Sequence, residues 1–145
     1  MPFINIRTAP GNLSDAEATQ LIDRTTALMR DIMKKKAERT TVFIEPADAT
    51  LWAVGGTLIS DRGGRAVFMD IKITQGTNTT TEKEAMVEES HRMLTEVLGA
   101  IPEATYIKID EISGESWGKA GHLMYEKAAI DRAAERAQGQ EAAGD

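Results

Sequence analysis

The sequence predicts a mixed α/β (α+β) fold, in which two tandem β-α-β units form a four-stranded mixed sheet with two helices on one face. Three observations carry that expectation. Residues 2–56 match residues 67–121 at a constant offset of 65, without gaps, and the chain's two tryptophans, Trp52 and Trp117, fall in register. Each copy reads as strand, capped helix, strand. A crossover of about 20 residues makes the two strands of a unit parallel and the connection right-handed.

The first strand of each unit, Pro2 to Thr8 and Val67 to Ile73, is short, rich in β-branched or aromatic residues and alternating in polarity. Gly11 and Gly76 end these strands with turns. Ser14-Asp-Ala-Glu17 and Thr79-Thr-Thr-Glu82 are capping boxes, in which hydroxyl and carboxylate satisfy the first free amides of a helix. Behind the first cap, Leu21, Ile22, Leu28, Met29 and Ile32 follow helical spacing, and Met86, Val87, Met93, Leu94 and Val97 repeat it. Thr40 to Glu45 and Thr105 to Asp110 return as strands. Asp61-Arg-Gly-Gly64 has turn chemistry and links the units. From Leu123 to Ala137 the Ala-, Glu- and Arg-rich composition predicts a terminal helix, and Gln138 to Asp145 reads as a frayed tail. The expected organisation is one domain over residues 1–145, with pseudo-repeats at 2–60 and 67–122 and a C-terminal helix and tail at 123–145.

With 145 residues, 41% hydrophobic and 28% charged, the chain is long enough to bury a core without staples. It has no cysteine, which excludes disulfides, thiol nucleophiles and thiolate metal sites. A net charge of −6 argues against a nucleic-acid partner, because neutralising phosphates needs clustered Lys and Arg. The one basic run, Lys34-Lys35-Lys36, is expected at the end of the first helix, where it suits the helix dipole. No apolar stretch is long enough to span a bilayer and no signal peptide is evident, so a cytoplasmic location and no membrane partner are expected. His91 and His122 have no matched carboxylate spacing, so no metal is expected. The sheet face away from the helices has no cover within the chain. Phe3 and Phe68 on that face predict an oligomer.

A chain opening Met-Pro-Phe-Ile-Asn-Ile, with Ser-x-x-Glu soon after, then Val-Phe-Ile-Glu45 and Trp52-Ala-Val-Gly-Gly56, resembles the 4-oxalocrotonate tautomerase (4-OT) family. The doubled unit is similar to the fused members of that superfamily, whose cis-3-chloroacrylic acid dehalogenase and malonate semialdehyde decarboxylase branches are trimers of such chains. The resemblance covers about 120 of the 145 residues. It implies a cofactor-independent tautomerase or isomerase acting on an enol or α-keto acid, assembled as a homotrimer, with a small-molecule carboxylate as its partner. The group that matters is Pro2. Once Met1 is removed its nitrogen is a secondary amine, and burial, by disfavouring the cation, leaves a neutral general base. Without the resemblance, Pro2 would read as the start of an edge strand.

The other family positions carry over in part. Where 4-OT has an arginine just after the first strand, this chain has Asn12 and Thr77; where it has one in the later strand, this chain has Thr41 and Tyr106. The aromatic hairpin position is kept as Trp52 and Trp117. Tyr106 matches a tyrosine of the fused dehalogenase, whose second-unit arginines correspond to Thr74 and Thr77 and whose catalytic glutamate corresponds to Trp117. The expected catalytic set is therefore Pro2 and Tyr106. The expected substrate-binding set is Trp117, Trp52, Thr77, Asn12, Lys72 and Lys108, with Arg7 and Arg39 as further replacement cations. Loss of the paired arginines argues for a substrate with one carboxylate and an apolar or aromatic body rather than a diacid. Two alternatives stand beside the tautomerase reading: hydratase, dehalogenase or decarboxylase chemistry of the superfamily, which the replaced arginines and glutamate weaken, and a non-catalytic oligomeric binding protein, which the missing arginines allow.

Overall fold

The computed structural model describes residues 2–144. Strand β1 (Phe3–Ala9) leads through the capped helix α1 (Asp15–Asp31) to β2 (Thr41–Pro46). A hairpin of β3 (Ala53–Val54) and β4 (Thr57–Leu58) follows, and then the short helix α2 (Ile59–Arg62). The second unit repeats this order with β5 (Ala66–Thr74), α3 (Thr80–Leu98), β6 (Ile107–Ile112), the hairpin β7 (Gly118–Lys119) and β8 (His122–Leu123), and α4 (Met124–Gly144).

The sheet order is β2-β1-β5-β6. Within each unit the strands are parallel, as the helical crossovers require, and the units join where β1 runs antiparallel to β5. That central register pairs Phe3 with Lys72, Asn5 with Asp70 and Arg7 with Phe68. The offset of 65 maps the Asn5–Asp70 pair onto itself, so the pseudo-twofold passes through it.

Strand alternation sends Ile4, Ile6, Met69, Ile71 and Ile73 toward the helices, where all are fully buried. Leu21 and Met29 of α1, with Met86, Met93 and Leu94 of α3, close the core from the other side. Burying each such side chain stabilises the fold by about 1.5–3 kcal/mol. Both capping boxes form. The amide of Glu17 donates to Ser14 Oγ (3.1 Å) and that of Ser14 to Glu17 Oε1 (3.0 Å). Thr79 and Glu82 repeat the exchange at 2.8 and 3.1 Å. The opposite sheet face keeps Phe3, Phe43 and Tyr106 exposed, at 39%, 49% and 69%. Between them lies an ion-pair network in which Arg7 meets Glu45, and Lys72 and Lys108 meet Asp70 and Asp110.

Several sequence expectations are corrected. Lys34-Lys35-Lys36 is not a helix end. Helix α1 stops at Asp31, and Lys34 takes a positive φ of 58° as the chain turns away. Asp61 and Arg62 belong to α2, a helix stopped after one turn by Gly63 at φ 75°. At the equivalent place in the second unit the helix continues: α4 runs to Gly144, so residues 138–144 of the tail expected to fray are helical, and Asp145 lies outside the described residues. No glycine interrupts it at the position of Gly63, its residues are good helix formers, and it pairs with the α1–β2 connection through Arg39–Asp131 and Lys36–Glu135. Gly11 and Gly76, aligned by the repeat, serve different needs. A Cβ on Gly11 would sit 2.4 Å from that of Pro46, whereas Gly76 supplies a φ of 78°.

Candidate active site

Pro2 precedes β1 and is buried, and its carbonyl accepts the Thr41 amide at 3.2 Å. It stands between two openings of about 290 Å3 each, which share Pro2, Lys119 and Met124 as walls. One opening is cationic. Lys34, Lys35, Lys36 and Arg39 from the α1–β2 connection, Lys119 from the second hairpin and Lys127 from α4 surround it, with Asp131 as the one acid. The other opening is apolar, built by Phe3, Trp117 and Met124, with Thr41 and Lys72 at its edge.

The local sequence explains this arrangement. Because α1 ends at Asp31, the three lysines fall in the connection that returns to β2 rather than on the helix. Lys35 reaches Thr77, its Nζ donating to Oγ1 at 2.8 Å, and Thr77 in turn donates to the Thr74 carbonyl at 2.6 Å. Half-buried there, Lys35 has its pKa lowered by desolvation, against a smaller opposing pull from Glu82. Asp131 sits between Arg39 (3.4 Å) and Lys127 (3.0 Å), which hold its carboxyl below the usual range, the Lys127 hydrogen bond contributing most. Trp117 is fixed by its indole N–H donating to Thr74 Oγ1 at 3.2 Å. The hairpin that carries it turns through Ala120 and Gly121, both at positive φ (53° and 81°), as a two-residue hairpin loop demands.

The residues expected from the sequence separate into groups. Pro2, Trp117, Thr77 and Lys72 line the two openings, and Arg39 joins them. Tyr106 and Trp52 lie together at a different cavity, beside Val67 and Arg7. Within one chain Tyr106 is thus not a neighbour of Pro2. Asn12 is exposed in the β1–α1 loop. Lys108 is on the outer sheet face, 3.7 Å from Asp70 and 3.8 Å from Asp110. His91 and His122 are exposed, and among the described residues no three His, Asp or Glu side chains gather as a metal site. The expectation that Met1 is removed concerns a residue outside those described.

Sequence reasoning missed Lys35, Lys119, Lys127, Met124 and Asp131. One signal was present for Lys119: its partner in the repeat is Val54, so a cation appears only in the hairpin that faces Pro2.

The family described as Tautomerase enzyme matches twice, over residues 2–62 and 68–127, and the chain belongs to that family. It is 32% identical over 66 residues to "Probable tautomerase K2" of Dickeya dadantii (strain 3937), an alignment covering 46% of this chain and 98% of that one. The native fused 4-OT structure superimposes with a TM-score of 0.77 at 22% identity, over 86% of this chain and 97% of that one. A fused 4-OT solved as an asymmetric trimer gives 0.75 at 20% identity, over 86% and 97%. A member of the cis-3-chloroacrylic acid dehalogenase family gives 0.72 at 23% identity, over 83% and 82%. At these identities the likeness to the solved structures is one of fold. No helix among the described residues is long and apolar enough to cross a membrane.

Proposed function

We propose that this chain is a cofactor-independent tautomerase that uses the Pro2 amine to move a proton between oxygen and carbon of an enol or α-keto acid. The observation that carries the reading is the position of Pro2, buried between a cationic opening and an apolar one. With Met1 removed, the nitrogen is a secondary amine. Burial and the cations around it both disfavour a further positive charge, so the neutral base is favoured. The substrate's carboxylate takes the Lys35 and Lys119 side, and its apolar body takes the side of Trp117, Phe3 and Met124. The amine accepts the enol O–H proton as the carbonyl forms and returns a proton to the neighbouring carbon. The double bond shifts, and nothing is gained or lost overall. Cations from the α1–β2 connection, Lys35 and Arg39, do the work of the arginines missing at Asn12, Thr41, Thr74 and Thr77.

The assembly proposed is a homotrimer, supported by the exposed Phe3 and Phe43 on the uncovered sheet face and by the fused 4-OT trimers of the same fold. A cytoplasmic site of action fits the absence of cysteine. The dehalogenase alternative has no Tyr106–Pro2 pair within one chain to support it, because Tyr106 sits at the Val67 cavity.

The test is kcat/KM against pH for wild type and Pro2→Ala on an enolised arylpyruvate, with Met1 removal verified by intact mass. General acid–base catalysis contributes about 10²–10⁴ in rate, so Pro2→Ala is expected to lose that much. Its assembly should be unchanged, because proline supplies no strand amide. Wild-type activity should rise with pH through a transition below that of a free amine. Full activity in Pro2→Ala lacking Met1 would remove the mechanism and leave the fold.

A further inference from the structure

The repeat duplicates the walls of a pocket as well as its strands. Beside Pro2 the wall includes Phe3, Thr41, Lys72, Trp117 and Lys119. The offset of 65 converts these into Phe68, Tyr106, Arg7, Trp52 and Val54, and all five line a second cavity, of about 510 Å3, around Val67. The sheet explains the correspondence. Phe3 opposite Lys72 and Phe68 opposite Arg7 are one pairing seen from the two ends of the pseudo-twofold.

Two replacements change what this second cavity does. Val67 lies inside β5 with its nitrogen in an amide, so the position has no amine and no proton transfer. Val54 stands where the first cavity has Lys119, which removes a cation. What remains is more aromatic than its counterpart: Trp52, Phe68 and Tyr106 are three of the chain's seven aromatic residues. Tyr106 is 69% exposed in the single chain, so its ring packs into no core of that chain. Arg7 lies over the Phe68 ring, 5.9 Å from its centroid, and meets Glu45 through Nε at 2.8 Å. That contact leaves the terminal nitrogens of the guanidinium as donors for an incoming oxygen.

We propose that the Val67 cavity binds planar aromatic monocarboxylates without transforming them, giving each chain one catalytic site and one binding-only site. The ring stacks against Trp52 and Tyr106, and the carboxylate takes the terminal NH groups of Arg7. A diacid is disfavoured, because Arg7 is the one cation in the wall and is already shared with Glu45.

The two tryptophans report on the two sites separately. In 15N–1H correlation spectra of the full chain, the indole N–H signals are assigned with Trp52→Phe and Trp117→Phe, and 2-naphthoate is then titrated. The Trp52 signal should shift saturably in wild type and equally in Pro2→Ala, so failure of the proton-transfer reading leaves this result untouched. Cyclohexanecarboxylate, with the same charge and no aromatic ring, should bind at Trp52 at least tenfold more weakly. Arg7→Gln should weaken naphthoate at least tenfold while leaving naphthalene-2-carboxamide unchanged. A Trp52 signal that stays still while Trp117 moves would overturn the proposal, as would one that responds to protein concentration but not to naphthoate, which would mean that a second copy fills the cavity.

Discussion

Pro2 and Lys35 differ in how much of their role is local. Pro2 is readable from its place in the sequence, because a proline freed at the N-terminus has one chemistry that no other proline has. Lys35 is not, because three lysines after an amphipathic stretch look like a solvated helix end. Only the stop at Asp31 and the contact with Thr77 bring it to the cavity. Desolvation disfavours its charged form and lowers its pKa, and a carboxylate from substrate would offset that cost. A charge-assisted hydrogen bond contributes about 1.5–3 kcal/mol, so Lys35→Met is expected to lower kcat/KM for an anionic enol by roughly 10- to 100-fold. Lys35→Arg should retain most of the activity, and the urea midpoint of Lys35→Met should not fall, because an apolar chain replaces a half-buried cation. Unaltered kinetics in Lys35→Met would mean that the carboxylate is held elsewhere.

Among the elements, the helices show a reading from sequence that succeeded and one that did not. The capping boxes of α1 and α3 are complete within four residues, and both form. Glu17 does more than cap. It also pairs with Arg65, just before β5, and so ties the first helix to the second unit. The Arg65 hydrogen bond, aided by the Ser14 amide, holds its carboxyl at about 2, below the ordinary carboxyl value near 4.5. A carboxyl depressed in the folded state adds stability above its unfolded value, and that stability is lost as pH falls through the folded value. The difference in urea midpoint between wild type and Glu17→Gln should therefore be full above about pH 4.5 and close progressively toward about pH 2. A gap independent of pH across that window would contradict the assignment. The terminal helix forms where its composition predicts it, but it runs on past Ala137 to Gly144, through residues expected to fray. What separates α4 from its one-turn counterpart α2 is Gly63, which stops α2, against a run of good helix formers in α4 that also pairs with Lys36 and Arg39.

For the whole molecule, the outer sheet face is the surface left without cover by the chain's own helices. Phe43 is half exposed in the middle of β2 on that face, beside the ion-pair network. The proposed trimer comprises three chains of 15.8 kDa, about 47 kDa in all, and should be measured as such by light scattering at micromolar concentration. Phe43→Asp should shift the mass toward 15.8 kDa while leaving the far-ultraviolet circular dichroism unchanged, since the helix-facing core is untouched. A wild-type mass of 15.8 kDa would exclude the assembly.

The repeat, the β-α-β order of each unit, the two caps and the one-sided core were legible in the sequence by itself, whereas the two hairpins and α2 were not. Each legible feature depends on residues within a few positions of one another or on periodicity, and backbone geometry turns both directly into structure. The pairing of Pro2 with its cations was not, nor was the separation of Tyr106 and Trp52 from Pro2. Those facts depend on where the antiparallel β1–β5 junction sets the pseudo-twofold, which puts Trp117 beside Pro2 and Trp52 beside Val67. They depend as well on the α1–β2 connection and the terminal helix, distant in sequence, meeting through Arg39–Asp131 and Lys36–Glu135. Lys35, Lys119 and Asp131 are far apart along the chain, and their common cavity is a product of long-range packing that no local pattern encodes.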